Sequence, residues 1–113
     1  MDESILYTIK QMLGLEVDYT PFDIELIAYI NSAIMTLTQL GIGLNKDFLV
    51  TGDTETWADF VGDRTDESAI QNYILVSVKP LFDSTMSGTA VESCNKMRDE
   101  LAWRLKVRSE RED

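Results

Sequence analysis

The sequence predicts an all-α protein, a small bundle of four to five helices in a single domain spanning residues 1–113. Two observations support this prediction. Glycine and proline divide the chain into segments, and most segments carry apolar residues at the spacing of a helix. Apolar residues make up 44% of the sequence, which is enough to form a core. A chain of 113 residues leaves no room for a second domain.

The first helix is expected over residues 4–13. Ser4 can cap its N-terminus, because a serine hydroxyl accepts a hydrogen bond from a free backbone N–H of the first turn. Gly14 suits the left-handed position that ends a helix.

The second helix is expected over residues 23–40, with Asp23 as its cap and Phe22 stapled to Ile27. Gly41 should end it. Apolar residues surround most of its axis, which is typical of a helix buried on most sides. It is therefore expected to be either the central helix of the bundle or a helix that meets another subunit.

Residues 41–56 form a long connection in which Phe48-Leu49-Val50 is a candidate short strand. A connection this long is usually functional or ordered by contacts. A short third helix is expected from Thr54 to Val61, with Trp57 and Phe60 on its apolar side.

The fourth helix is expected over residues 65–82. Its stretch 73–78 is rich in β-branched residues and is also a plausible strand, but length and spacing favour the helix. Pro80 should kink or end it near Lys79, because proline lacks a backbone donor.

The fifth helix should begin near Ser87 to Thr89 and run to Arg108, followed by a frayed tail, 109–113. Thr89 and Glu92 match a capping box. One face carries an apolar stripe that consists of Ala90, Cys94, Met97, Leu101 and Leu105. Cys94 is therefore expected to be a small core residue rather than a nucleophile.

Trp103 lies almost opposite that stripe, with Val107 beside it and Arg104 and Arg108 on its flanks. Tryptophan and arginine are enriched at interface hot spots, so this second face is a candidate partner surface. The alternative is that Trp103 packs under a loop of its own chain.

The charge of the chain is strongly acidic and unevenly distributed. Residues 1–90 hold 4 basic and 14 acidic residues, whereas residues 91–113 hold 6 of each, so the net charge is −10. Such a chain repels nucleic acid and anionic membranes. The acidity could serve solubility alone, or provide a surface that stays free of DNA or faces a basic partner.

The residue types exclude many catalytic sites. The chain has no histidine and a single cysteine, which removes histidine bases, serine–histidine nucleophiles and disulfides. Carboxylates that could be imagined as metal ligands are Asp53, Glu55, Asp63, Asp66 and Glu67, but their positions favour capping of helix N-termini. We therefore expect no catalytic residue, no cofactor and no metal site.

Several local strings follow one another in a distinctive order, among them TLTQLGIG at 36–43, TWADFVG at 56–62 and ELAWRL at 100–105. Together they resemble the small head–tail connector proteins (adaptor or head-completion proteins) of tailed bacteriophages and prophages of Gram-positive bacteria. The resemblance spans residues 4–107.

The resemblance implies a non-catalytic virion protein of the head–tail junction, present in the host cytoplasm during assembly. Its partners would be the portal protein, a neighbouring connector or tail-completion protein, and copies of itself in a ring. The ring size stays open, with about twelve copies in the virion and a monomer in isolation among the options. Packaged DNA would pass through without specific binding, and no membrane is involved.

The resemblance also assigns candidate surfaces. The portal-facing candidates lie in the C-terminal helix and are Trp103, Arg104, Val107 and Arg108. The subunit-interface candidates lie on the second helix and the long connection and are Met35, Phe48 and Leu49. Two other hypotheses are an acidic regulatory binder, which is a DNA mimic that occupies a DNA-binding protein or another regulatory protein-binding module, and a small carboxylate–metal hydrolase.

Overall fold

The computed structural model describes residues 3–111, which measure about 40 × 33 × 22 Å. Five helices lie within this range: α1 (Ile5–Met12), α2 (Asp23–Gln39), α3 (Trp57–Val61), α4 (Glu67–Phe82) and α5 (Gly88–Arg111). The β-type pairing among the described residues is one isolated antiparallel bridge between Ser4 and Thr56. The all-α prediction is therefore confirmed.

The predicted ends of α1 are confirmed. The Ser4 hydroxyl accepts from the Tyr7 N–H at 3.3 Å, and Gly14 takes the left-handed conformation with φ of 82°. Five of the eight residues of this helix are buried. One of them is charged: the Lys10 side chain is 0% exposed.

Lys10 explains why Asp23 does not cap α2. The Lys10 ammonium donates to the Val17 and Tyr19 carbonyls at 2.9 and 2.6 Å and to the Asp23 carboxylate at 2.8 Å. A buried ammonium needs a full set of acceptors, and a carboxylate is the strongest of them. Asp23 is the first helical residue, and Phe22 holds the capping position without a side-chain cap.

The central helix of the bundle is α4, which packs against both α2 and α5. Of the two alternatives for α2, the central helix of the bundle is wrong, while a contact with another subunit stays a prediction. Ile24 is 88% exposed and Met35 54% exposed. The buried residues of α2 form one stripe that consists of Leu26, Ile30, Ala33, Ile34 and Leu37.

The 41–56 connection is ordered by contacts, as expected, but the candidate strand at 48–50 does not form. The Asn31 side chain instead takes the place of a strand partner. Its amide donates to the Val50 carbonyl at 2.9 Å and its carbonyl accepts from the Val50 N–H at 2.7 Å. Phe48 stacks on Phe60 with ring centroids 5.2 Å apart.

Helix α3 is shorter than predicted because its cap is Thr56 rather than a residue near Thr54. The Thr56 hydroxyl accepts from the Asp59 N–H at 3.1 Å, and the Asp59 carboxylate accepts from the Thr56 N–H at 3.0 Å. This reciprocal pair is a capping box. Trp57 and Phe60 are buried, as the apolar spacing predicted.

Residues 73–78 are helical, so the preferred interpretation of this stretch is confirmed. Of the two outcomes expected at Pro80, the end of α4 near Lys79 is wrong, because the helix continues to Phe82, while the kink stays a prediction. Pro80 costs the helix one backbone donor, and only two residues of the helix follow it. The Asp83 N–H still donates to the Lys79 carbonyl at 2.9 Å.

Helix α5 begins at Gly88, within the predicted range, but its cap is Ser87 rather than the predicted Thr89. The Ser87 hydroxyl accepts from the Ala90 N–H at 3.1 Å. The helix runs to Arg111, so residues 109–111 are not a frayed tail, while 112–113 lie outside the described residues. Ser109 is tied back to the chain, since its hydroxyl donates to the Gly41 carbonyl at 3.1 Å.

Candidate protein-interaction surface

Helix α5 exposes most of its surface. Among its described side chains only Leu105 is buried. Trp103 is 66% exposed, so the alternative that it packs under a loop of its own chain is wrong. Met97, predicted to lie on the inner stripe, is 50% exposed, whereas Arg98 and Ala102 line the cleft that α5 forms with α2 and α4. The inner face is therefore rotated away from Met97.

The two arginines beside Trp103 differ in their contacts. Arg104 pairs with Glu100 one turn earlier, at 2.6 Å, and its side chain is 67% exposed. Arg108 donates to the Thr65 hydroxyl at 2.7 Å and lies 3.4 Å from the Asp66 carboxylate. Arg108 thus joins α5 to the start of α4, while Arg104 remains on the surface.

Asp66 is the centre of that junction. Arg64 donates to both of its carboxylate oxygens, at 2.7 and 2.8 Å, and the Asp66 side chain is only 10% exposed. The hydrogen bonds from Arg64, then the charges of Arg64 and Arg108, hold the pKa of Asp66 below its ordinary value, although partial burial opposes this. The carboxylate therefore stays ionised between two guanidinium groups.

A pocket of about 310 Å³ opens at this junction. The side chains that line it come from the first turn of α4 and its preceding residue and from the last turns of α5: Asp66, Ala69, Arg104, Leu105, Val107 and Arg108. Three of the four portal-facing candidates thus line one pocket, and Trp103 adjoins it in the chain.

The subunit-interface candidates occupy a different part of the molecule. Met35 and Leu49 are exposed, whereas Phe48 is half-buried against Phe60. Met35 borders a groove of about 350 Å³ shared with Thr38, Gln39 and Lys46. Phe48 therefore holds the connection against the core, while Met35 and Leu49 leave apolar surface in solvent.

The carboxylates considered as caps mostly serve other contacts. Asp53 accepts from the Tyr7 hydroxyl, and Glu55 accepts from the Thr51 hydroxyl and the Gly52 N–H. Asp66 makes no side-chain cap to α4. Within residues 3–111, no three histidine, cysteine, aspartate or glutamate side chains are grouped as metal ligands would be. Cys94 is half-buried instead of lying in the core.

Residues 5–112 match the model of a family described as phage connector protein. The chain belongs to this family. Searches of curated proteins and of solved structures gave no significant match. Membership supports a structural role for this connector at the phage head–tail junction, and it confirms the connector part of the sequence resemblance.

The sequence predicted the exposed position of Trp103 in this connector but did not predict the whole lining of the pocket. Trp103 was expected on an outer face and lies there. The contributions of Asp66 and Ala69 to the pocket were missed, because they depend on how α4 and α5 cross. The position of Arg64 two residues before Asp66 was a usable signal for an ion pair. In residues 3–111 the connector has no helix with both the length and the apolar character of a membrane span.

Proposed function

We propose that this connector assembles as a ring beneath the portal of a tailed phage. The ring extends the DNA channel and presents a docking surface for the next connector or tail-completion protein. Family membership supports the structural role. The ring, its contacts and the location in the virion are our proposal.

The observation that carries the portal contact is the exposure of Trp103 on a helix that buries one described residue. A tryptophan that is 66% exposed contributes little to the monomer. Its large amphipathic ring is the kind of group that anchors protein interfaces. We therefore assign the α5 surface, with Trp103, Arg104, Val107 and Arg108, to the portal.

We assign the contacts between copies of the chain to other exposed apolar side chains. A ring requires head-to-tail contacts between two different patches of the same chain. Met35 and Leu49 are the exposed candidates, and Phe48, stacked on Phe60, holds the connection that carries Leu49 against the core.

The charge of the first ninety residues suits a channel wall. With 14 acidic and 4 basic residues, this part of the chain repels the duplex phosphates. DNA that makes no phosphate contacts can slide through the ring. The same charge is the only feature that favours the DNA-mimic hypothesis, whereas the family match favours the connector.

Native mass spectrometry of the chain over a concentration series, with and without the purified portal ring from the same genome, tests this function. We expect either concentration-dependent rings of the chain alone or a stoichiometric complex with the portal. A strict monomer that ignores the portal at every concentration would contradict the proposal and favour the acidic regulatory binder.

A further inference from the structure

The pocket between α4 and α5 combines an apolar floor with a cationic rim. Ala69, Leu105 and Val107 supply the apolar surface, and Arg104 and Arg108 supply guanidinium groups. Its volume of about 310 Å³ is at the small end of the range for ligand pockets and suits one or two side chains. Trp103 precedes Arg104 in the chain and is exposed, but it does not line the pocket.

The charge around the pocket is the reverse of the charge of the chain. The protein carries −10 overall, yet the charged residues that line the pocket are two arginines, Arg104 and Arg108, and one carboxylate, Asp66. The contact with Glu100 uses one nitrogen of Arg104, and a guanidinium carries five N–H donors. Arg104, at 67% exposure, can therefore donate to a second carboxylate, supplied by a partner.

We infer that this pocket binds an acidic, apolar segment of the portal. One carboxylate of that segment pairs with Arg104 at the cationic rim, and a neighbouring apolar side chain enters the space over Ala69, Leu105 and Val107. The inference rests on the proposed function, in which the α5 surface faces the portal. It adds which groups of the portal bind here, namely a carboxylate and a neighbouring apolar side chain.

A nucleic acid is a poor occupant of the same pocket. A phosphate could pair with Arg104 as a carboxylate does. A sugar–phosphate backbone, however, has no apolar side chain to place over Ala69, Leu105 and Val107, and the charge of −10 of the chain repels it. A protein segment can satisfy both surfaces, since it can carry a carboxylate and an apolar side chain on adjacent helical turns.

The first test reverses one charge. Arg104→Glu should weaken binding of the purified portal ring at least tenfold, because it removes the pair with the portal carboxylate and places a second carboxylate opposite it. Lys106→Glu is the matched control, because Lys106 is an exposed residue of the same helix that does not line the pocket. It should change the affinity by less than about threefold. Equal effects of the two changes would reduce the role of Arg104 to general charge and overturn the inference.

The second test fills the floor without changing charge. Ala69→Leu should weaken portal binding, and Ser68→Leu, at an exposed neighbouring position outside the pocket, should not. Circular dichroism on both variants checks that α4 stays folded. A folded Ala69→Leu protein with wild-type affinity would overturn the apolar half of the inference.

Cross-linking then identifies the occupant. The double variant Glu100→Gln, Arg104→Lys removes the intramolecular carboxylate and places an amine at the rim. Carbodiimide should couple that amine to an aspartate or glutamate of the portal, as read by mass spectrometry. Coupling to a second copy of this chain, or no coupling at position 104 while the complex forms, would overturn the inference.

The two proposals fail in different ways. If the wild-type chain does not bind the portal, the proposed function fails and this inference falls with it. If the wild-type chain binds and Trp103→Ala weakens binding, but every pocket variant binds like the wild type, the function stands and only the inference on the pocket is wrong.

Discussion

Helices α1 and α5 differ in the share of their residues that is buried. Helix α1 buries five of its eight residues, including a lysine whose charge is fully satisfied inside the protein. Helix α5 is three times as long, with 24 residues, and among its described side chains buries Leu105 alone. Helix α5 packs on α4 through a stripe in which Leu105 is buried and Leu101 and Ala102 contact the core. The comparison teaches that both helices belong to the fold, but that α5 also leaves an outer face, with Trp103, available to a partner.

The two tryptophans show the same contrast at the level of single residues. Trp57 is 2% exposed, and its indole N–H donates to the Thr8 hydroxyl at 3.0 Å. Trp103 is 66% exposed. The sequence predicted Trp57 on the apolar side of α3 and Trp103 opposite the apolar stripe of α5, and the packing agrees with both predictions.

The largest expected effect comes from a charge in the core. Ile34→Asp should abolish folding, because Ile34 is 0% exposed and an unpaired carboxylate there has no partner. Met35→Asp is the matched control, since the adjacent residue is 54% exposed and should leave the chain folded. Circular dichroism and size-exclusion chromatography at pH 7 compare them. A folded Ile34→Asp monomer would place that side chain at a subunit interface instead.

The next effect concerns the buried tryptophan. Trp57→Ala should lower the free energy of unfolding by about 3–5 kcal/mol, because it leaves a cavity and removes the donor that satisfies Thr8. Urea titration followed by circular dichroism measures the loss. A change below about 1 kcal/mol would show that α3 contributes little to the core.

Removal of the exposed tryptophan should act on binding rather than on folding. Trp103→Ala should change the free energy of unfolding by less than about 0.5 kcal/mol and weaken portal binding by about 2 kcal/mol. Chemical denaturation and a titration against the portal ring separate the two quantities. A large loss of monomer stability with unchanged binding would reverse the comparison between the two tryptophans.

The helices of this fold were largely predictable because local rules determine them. The Ser4 cap, the Gly14 stop and the buried side of α3 need only the chemistry of a few neighbouring residues. The predictions that failed involve residues distant in the chain. Asp23 was expected to cap α2, but its carboxylate pairs with the Lys10 ammonium, thirteen residues earlier in the chain.

The 48–50 segment failed for a similar reason. Its β-favouring composition is real, but its backbone found the Asn31 side chain rather than another strand. The outer position of Trp103 followed from helical periodicity alone. The pocket did not, because it combines Asp66 and Ala69 of one helix region with Arg104 and Leu105 of another.

The smallest expected effect tests how firmly α5 is attached to the fold. The folded-state pKa of Asp66 lies below the ordinary 3.8, chiefly through the hydrogen bonds from Arg64, so the ionised form stabilises the folded chain. That contribution is complete above the unfolded pKa and is lost as the pH falls through the lower folded value. Asp66→Asn should therefore cost about 1 kcal/mol at pH 7, and its difference from the wild type should shrink below about pH 4. Urea titrations at several pH values measure this difference.

Asp63→Asn is the control, since Asp63 is exposed and makes no ion pair within residues 3–111. If both variants lose the same stability at every pH, the Asp66 junction does not hold α5 in place, and its orientation must come from Leu105 and the contacts of Ser109.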